Sequence, residues 1–208
     1  SEIIKKGNFG LGTFDDLDGE MVILEGKAYQ LKSDGQAYKV SPSQMTPFAC
    51  ITKFEPYSFE EVDTSINLKE LYGFLDKTLP SKNMIYAIKI EGEFSYIKTR
   101  SVPKQESYKP LVEVARNQPE FSYKNISGSM VGFWTPDFMD KITVPGYHLH
   151  FLSKNLELGG HLLDCQTKKI KISIQHVARV ELSLPITLDF MTTDLSRDIT
   201  KDLNEAEN

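Results

Sequence analysis

Cysteine is scarce in this sequence, with only Cys50 and Cys165, far apart and in unrelated contexts. That excludes a disulfide framework and fits two free thiols in a reducing, cytoplasmic setting. No run of about 18 apolar residues occurs, so no transmembrane helix and no membrane partner are predicted. The opening "SEIIKKGNFG" lacks the apolar stretch and small-residue cleavage site of a secretory signal. It starts with Ser rather than Met, which leaves the native start open. A basic excess is also missing: 24 Lys and Arg against 29 Asp and Glu give a net charge of -5. This argues against nucleic acid as a partner, because nucleic-acid domains gather cations on one face. The sequence holds no CxxC pair, no internal repeat and no low-complexity tract.

What is present is short, alternating and turn-rich. From Phe9 to Val40, apolar runs are separated by Asp18-Gly19, Glu25-Gly26 and Asp34-Gly35, the signals of tight antiparallel hairpins. "ACITKFEP" reads as a further strand. "NLKELYGFLDKTLPS" places Leu68, Leu71, Tyr72, Leu75 and Leu79 at helical spacing with Pro80 closing the run, and Asn67 or Ser65 can cap it. "NMIYAIKIEGEFSYIKTRSV" reads as two strands in a hairpin about Glu91-Gly92, and "PLVEVARNQ" as a second short helix. "YKNISGSMVGFWTP", "YHLHFLS", "GGHLLDC" and "KKIKISIQHVARVELSLP" read as strands, the last from the alternation of Ile170, Ile172 and Ile174 with Lys171, Ser173 and Gln175. The chain turns polar from Gln118 to Asn125. The fold predicted is α+β and β-rich: an N-terminal mixed sheet with helices over residues 1–120, then a small antiparallel β-barrel-like domain over residues 121–208 that carries a metal site. The acidic end "TTDLSRDITKDLNEAEN" reads, on composition, as a frayed surface terminus.

Histidine is rare, yet three of the four fall within "GYHLHFLSKNLELGGH": His148, His150 and His161. Residues two apart on a strand share a face, so His148 and His150 aim one way while Tyr147, Leu149 and Phe151 aim the other. A return at Gly159-Gly160 brings His161 beside the pair. Three imidazoles about 2.0–2.1 Å from Zn²⁺ are a usual catalytic set, leaving a position for water or substrate. His176 has no matching partner in sequence and reads as structural. Two competing arrangements stay open at this point. Cys165, four residues beyond His161, closes a structural zinc shell if the strand is regular, as in a zinc-stabilised binding protein without activity. A cupin-like metal-dependent oxygenase or isomerase also carries HxH on barrel strands, with Glu157 the sole carboxylate between the histidines.

Beyond the histidines, "FGLGTFDDLDGEM", "SDGQAY", "TPFACITKFEP", "LPSKNMIYAIKIEGEF", "KTRSV", "VGFWTP" and above all "GYHLHFLSKNLELGGH" occur in the order used by the bacterial alpha-acetolactate decarboxylases, which the chain resembles over nearly its whole length. The resemblance implies zinc-dependent conversion of 2-acetolactate to acetoin and CO2, with the three histidines as ligands. It also implies active-site roles for Thr13 in "GTF", Glu20 in "LDGE" and Arg100 in "KTRSV". A last glutamate in the tail aligns best with Glu207, with Glu205 close by. A homodimer formed through the N-terminal sheet is implied as well.

The implied chemistry suits these groups. Acetolactate carries its hydroxyl and ketone on adjacent carbons, so both oxygens can chelate one metal, and loss of CO2 leaves an enediolate. Neutral ligands leave the ion its full charge to stabilise that oxyanion. Arg100 is expected to grip a carboxylate. Glu20 and Glu207 are expected to handle the proton, since Arg, with a pKa above about 12, is a poor donor.

Overall fold

A computed structural model describes residues 2–106 and 118–193. Two antiparallel sheets dominate it, with few helices. The first holds β1 (Phe9–Thr13), β2 (Glu20–Leu24), β3 (Lys27–Leu31), β4 (Ala37–Lys39) and β5 (Ala49–Thr52), in the order β4-β3-β2-β1-β5. Its hairpins form at the expected places, the tightest at Glu25-Gly26 between β2 and β3, where both residues have positive φ (52° and 73°). The sheet is antiparallel at every pairing, not mixed. Short connections dictate this from β1 to β4, since a parallel neighbour needs a long crossover, and β5 returns antiparallel to β1.

The second sheet holds β6 (Ser58–Val62), β7 (Ile85–Arg100), β8 (Glu120–Thr135), β9 (Gly146–Ser153) and β10 (Gly159–Val177), in the order β6-β10-β7-β8-β9. The start of β10 also pairs with β9, Gly159 opposite Leu152 and His161 opposite His150. The predicted hairpin at Glu91-Gly92 does not form. β7 runs on through both residues and pairs with β8 and β10 along its length. Gly92 takes φ +154° and its α-carbon lies against the Lys169 carbonyl, where any Cβ would collide. The glycine therefore marks a close approach of two backbones, not a turn. "GGHLLDC" and "KKIKISIQHV" likewise fuse into β10, which ends at Val177, while 178–187 is unpaired among the described residues. The division expected after residue 120 coincides with the start of β8, and the two sheets part earlier, between β5 and β6.

The clearest predicted helix is α2 (Leu68–Thr78), after the short α1 (Glu2–Lys6) and before α3 (Leu188–Thr192). Asn67 caps α2 in a reciprocal capping box with Glu70. Leu71, Leu75 and Leu79 pack on one face of the second sheet with Tyr86, Ile88, Ile90, Ile172 and Ile174, each fully buried aliphatic contributing about 1.5–3 kcal/mol. The other face meets the first sheet through Phe9, Leu11, Val22, Leu31, Ala87, Val131, Phe133 and Leu152. The helix read at "PLVEVARNQ" falls almost wholly outside the described residues. Among those described, no helix is long and apolar enough to cross a membrane.

Replacing Gly92 by Ala drives a methyl group into the β10 backbone. We expect a loss of about 1–3 kcal/mol, measured as a lower urea midpoint with an unchanged m-value; an unchanged midpoint would show that the two strands separate here.

Candidate metal centre

β9 has a covered face on each side, and its alternation assigns every side chain to one of them. Leu149 and Phe151 enter the core beneath α2. His148, His150 and Leu152 therefore point at the first sheet. In antiparallel pairs, directly opposed residues share a face. His161 lies opposite His150 on β9 and opposite Arg100 on β7, so Arg100, His161 and His150 form one row across three strands. Gly160 makes this row tight: its φ is +157°, and a Cβ there would meet the Arg100 carbonyl at 2.6 Å.

The first sheet supplies a facing row. Thr13 pairs with Glu20, on the faces that Leu11 and Val22 present to the second sheet. The Glu20 carboxylate comes within 3.6 Å of His150 Nε2, and both side chains are almost wholly buried. The Met21 carbonyl accepts a 2.8 Å hydrogen bond from His150 Nδ1. That bond fixes the tautomer and turns the Nε2 lone pair inward.

The ligand nitrogens of His148, His150 and His161 lie within 4.8 Å of one another, and all three residues are buried. His148 Nε2 and His150 Nε2 are 3.1 Å apart. Two nitrogens on one tetrahedral ion at about 2.0–2.1 Å lie about 3.3 Å apart, so the pair matches a shared cation with little movement. Burial, and then the charge of Arg100, push His148 down to about 4. Burial and the neighbouring His148 hold His150 well below the ordinary imidazole range, against a smaller upward pull from the Met21 carbonyl. His150 is therefore neutral, and its contact with Glu20 is a carboxylate beside a lone pair, not an ion pair. A cation among these donors relieves that opposition. The cluster is thus able to hold a metal ion.

Cys165 takes no part in it. A register shift between Leu162 and Asp164 breaks the alternation of β10. It turns Cys165 into the α2 core, 1% exposed, where burial raises its thiol to about 12. A closed shell through Cys165 is not formed. Of the remaining expected residues, Thr13 donates its hydroxyl to the Gly19 carbonyl at 2.8 Å, while Glu205 and Glu207 lie outside the described residues. His176 stacks on Tyr57, centroids 4.2 Å apart, away from the cluster. Sequence reasoning missed the Met21 carbonyl, which no side-chain pattern reveals.

The comparisons agree over nearly the whole chain. The family model described as Alpha-acetolactate decarboxylase matches residues 1–197. Curated relatives of that name include those of Methanosarcina mazei and Methylococcus capsulatus. Each is 44% identical over 208 residues, spanning 100% of this chain and 72% and 80% of the relatives. The crystal structure of alpha-acetolactate decarboxylase from Bacillus subtilis superposes with a TM-score of 0.96 at 38% identity, covering 99% of this chain and 89% of that one.

The depressed His148 predicts a pH signature in metal-free protein. Between 6.5 and about 4 the folded chain binds fewer protons there than the unfolded one, so this contribution is full above 6.5 and is lost as pH falls toward 4. The stability of wild type relative to His148→Gln should decline across that window in denaturant titrations. A flat difference would count against a buried neutral imidazole.

Proposed function

The chain belongs to the alpha-acetolactate decarboxylase family, and from that premise we propose that it performs the reaction as a zinc enzyme, with His148, His150 and His161 holding the ion. It is a carboxy-lyase acting on 2-acetolactate, whose loss of CO2 and uptake of one proton gives acetoin. The observation that carries the zinc assignment is the convergence of three buried imidazoles opposite Glu20 and Arg100. Bound there, the ion supplies Lewis-acid stabilisation of the negative charge that decarboxylation leaves on the substrate's adjacent oxygens.

The chain's own groups divide the remaining work. Arg100, in the row of His161 and His150, binds and orients the substrate carboxylate through its planar donor fork. Glu20, a carboxylate at rest, relays the proton that is delivered to carbon, in a setting walled by two sheets where bulk water competes little. Glu207, from the tail, completes the proton handling. Cupin-like oxygenase or isomerase chemistry is not favoured beside the family match. We assign the protein to the cytoplasm on its two free thiols. The barrel-like character of the second sheet rests on the β9–β10 pairing that returns it on itself. A homodimer through the first sheet is supported by the position of β5 as an edge strand of that sheet. The exposed stripe of Val180, Leu182, Leu184, Ile186 and Leu188, tethered to α1 by Lys6–Glu181, adds to that support.

Acetoin formation from racemic 2-acetolactate should stop on chelation, return with zinc, and be abolished in His148→Ala. Persistent turnover in the chelated protein would overturn the metal assignment. Arg100→Lys keeps the charge but loses the fork, and should lower kcat on the order of 100-fold. Removing residues 204–208 should leave zinc content intact while ending turnover, and full activity after truncation would remove Glu207 from the site.

A further inference from the structure

The turn entering β2 is held in an unusual way. The two carbonyls immediately before Glu20 each accept a hydrogen bond from a side chain on a neighbouring strand. Gln30 Nε2 donates to the Asp18 carbonyl at 2.6 Å and to Asp18 Oδ2 at 2.9 Å. Lys32 Nζ lies 3.2 Å from that same Oδ2. Thr13 Oγ1 donates to the Gly19 carbonyl at 2.8 Å. Between them Gly19 is pressed against the Leu31 carbonyl at φ +84°, where a Cβ would collide. The backbone that delivers Glu20 is therefore gripped from β1 on one side and β3 on the other.

Gln30 is 7% exposed and faces away from the metal cluster. Tyr29 and Leu31 point at the second sheet, so the residue between them points to the opposite side of the first sheet, as does Met21, its cross-strand partner. A buried amide there needs partners, and it finds both on Asp18. It cannot reach a substrate lying among the histidines. Thr13 does face the cluster, but its one hydroxyl proton is committed to Gly19.

We propose that Gln30 is a positioning residue for Glu20, and that Thr13 acts with it in that role rather than by donating to the substrate. The proposal rests on the assignment of Glu20 as the proton-handling group. A carboxylate 3.6 Å from a ligand nitrogen has little tolerance for displacement, since misplacement by about 1 Å costs on the order of 100-fold in rate.

The test uses zinc-loaded, full-length Gln30→Met, Thr13→Val, Thr13→Ser and Glu20→Gln, and the double variants of the first two with Glu20→Gln. Metal content and the visible absorption of the cobalt-substituted forms are recorded for each. Met conserves volume without a donor, and Val conserves shape without the hydroxyl. Gln30→Met and Thr13→Val are expected to lower kcat on the order of 10–100-fold, with KM and metal content unchanged. Thr13→Ser, which keeps the hydroxyl, recovers most of the rate. On Glu20→Gln neither substitution costs anything further, because each acts through that carboxylate. The cobalt spectra of Gln30→Met and Thr13→Val shift in the direction seen for Glu20→Gln. Full additivity with an impaired Glu20→Gln, wild-type kcat in Gln30→Met, or unshifted cobalt spectra would overturn the positioning role alone. Wild-type kcat in Glu20→Gln would overturn the assignment of Glu20 and the positioning role with it.

Discussion

Both faces of the second sheet are covered, one by α2 and the other by the first sheet, and this constraint governs everything around the metal cluster. A strand with one wet face can place polar residues freely. β9 cannot: each side chain enters one of two interiors. Leu149 and Phe151 fill the interior under α2, and the alternate positions, His148 and His150, are forced between the sheets, largely shielded from water. Polar groups so enclosed must find partners. His150 finds one in the Met21 carbonyl, a bond that ties the two sheets together at the point where the ligand nitrogen is aimed.

The electrostatic character of the cluster follows from the same enclosure. Arg100 and Glu20 bring opposite charges to either side of three imidazoles, and all five side chains are largely withdrawn from solvent. Burial and the arginine keep His148 and His150 neutral, which is the state in which imidazole binds a metal. Glu20 sets a carboxylate beside the histidines without being one of the three. The histidines and that carboxylate come from different sheets, so they come together only where the two sheets meet.

Much of this was legible in the residues. The hairpins of the first sheet, α2 with its Asn67 cap, and the His148, His150 and His161 gathering all follow from local rules of spacing and turn chemistry. The failures have one physical source, which is contact between segments distant in sequence. Gly92 reads as a turn residue, and only the neighbouring Lys169 carbonyl shows that it serves an approach of backbones. Cys165 reads as sharing a face with His161 until the shift in β10 rotates it into the core. The first sheet, read as mixed with helices, is purely antiparallel, and α2 packs on the second sheet instead. Gln30 shows no signal at all in "KAYQL", because its importance depends on where the Asp18 carbonyl lies.

The β9–β10 hairpin also separates two classes of contact by their cost in chain entropy. His150 and His161 are 11 residues apart and meet by closing one short loop, whereas the Met21 carbonyl reaches His150 across 129 residues. Closing a loop of that length costs about 2 kcal/mol more than closing the short one. The three imidazoles are thus gathered by one hairpin, while their alignment with Glu20 needs a far longer closure. Damage to the first sheet would accordingly spare the hairpin that gathers the three imidazoles while removing the carboxylate they face.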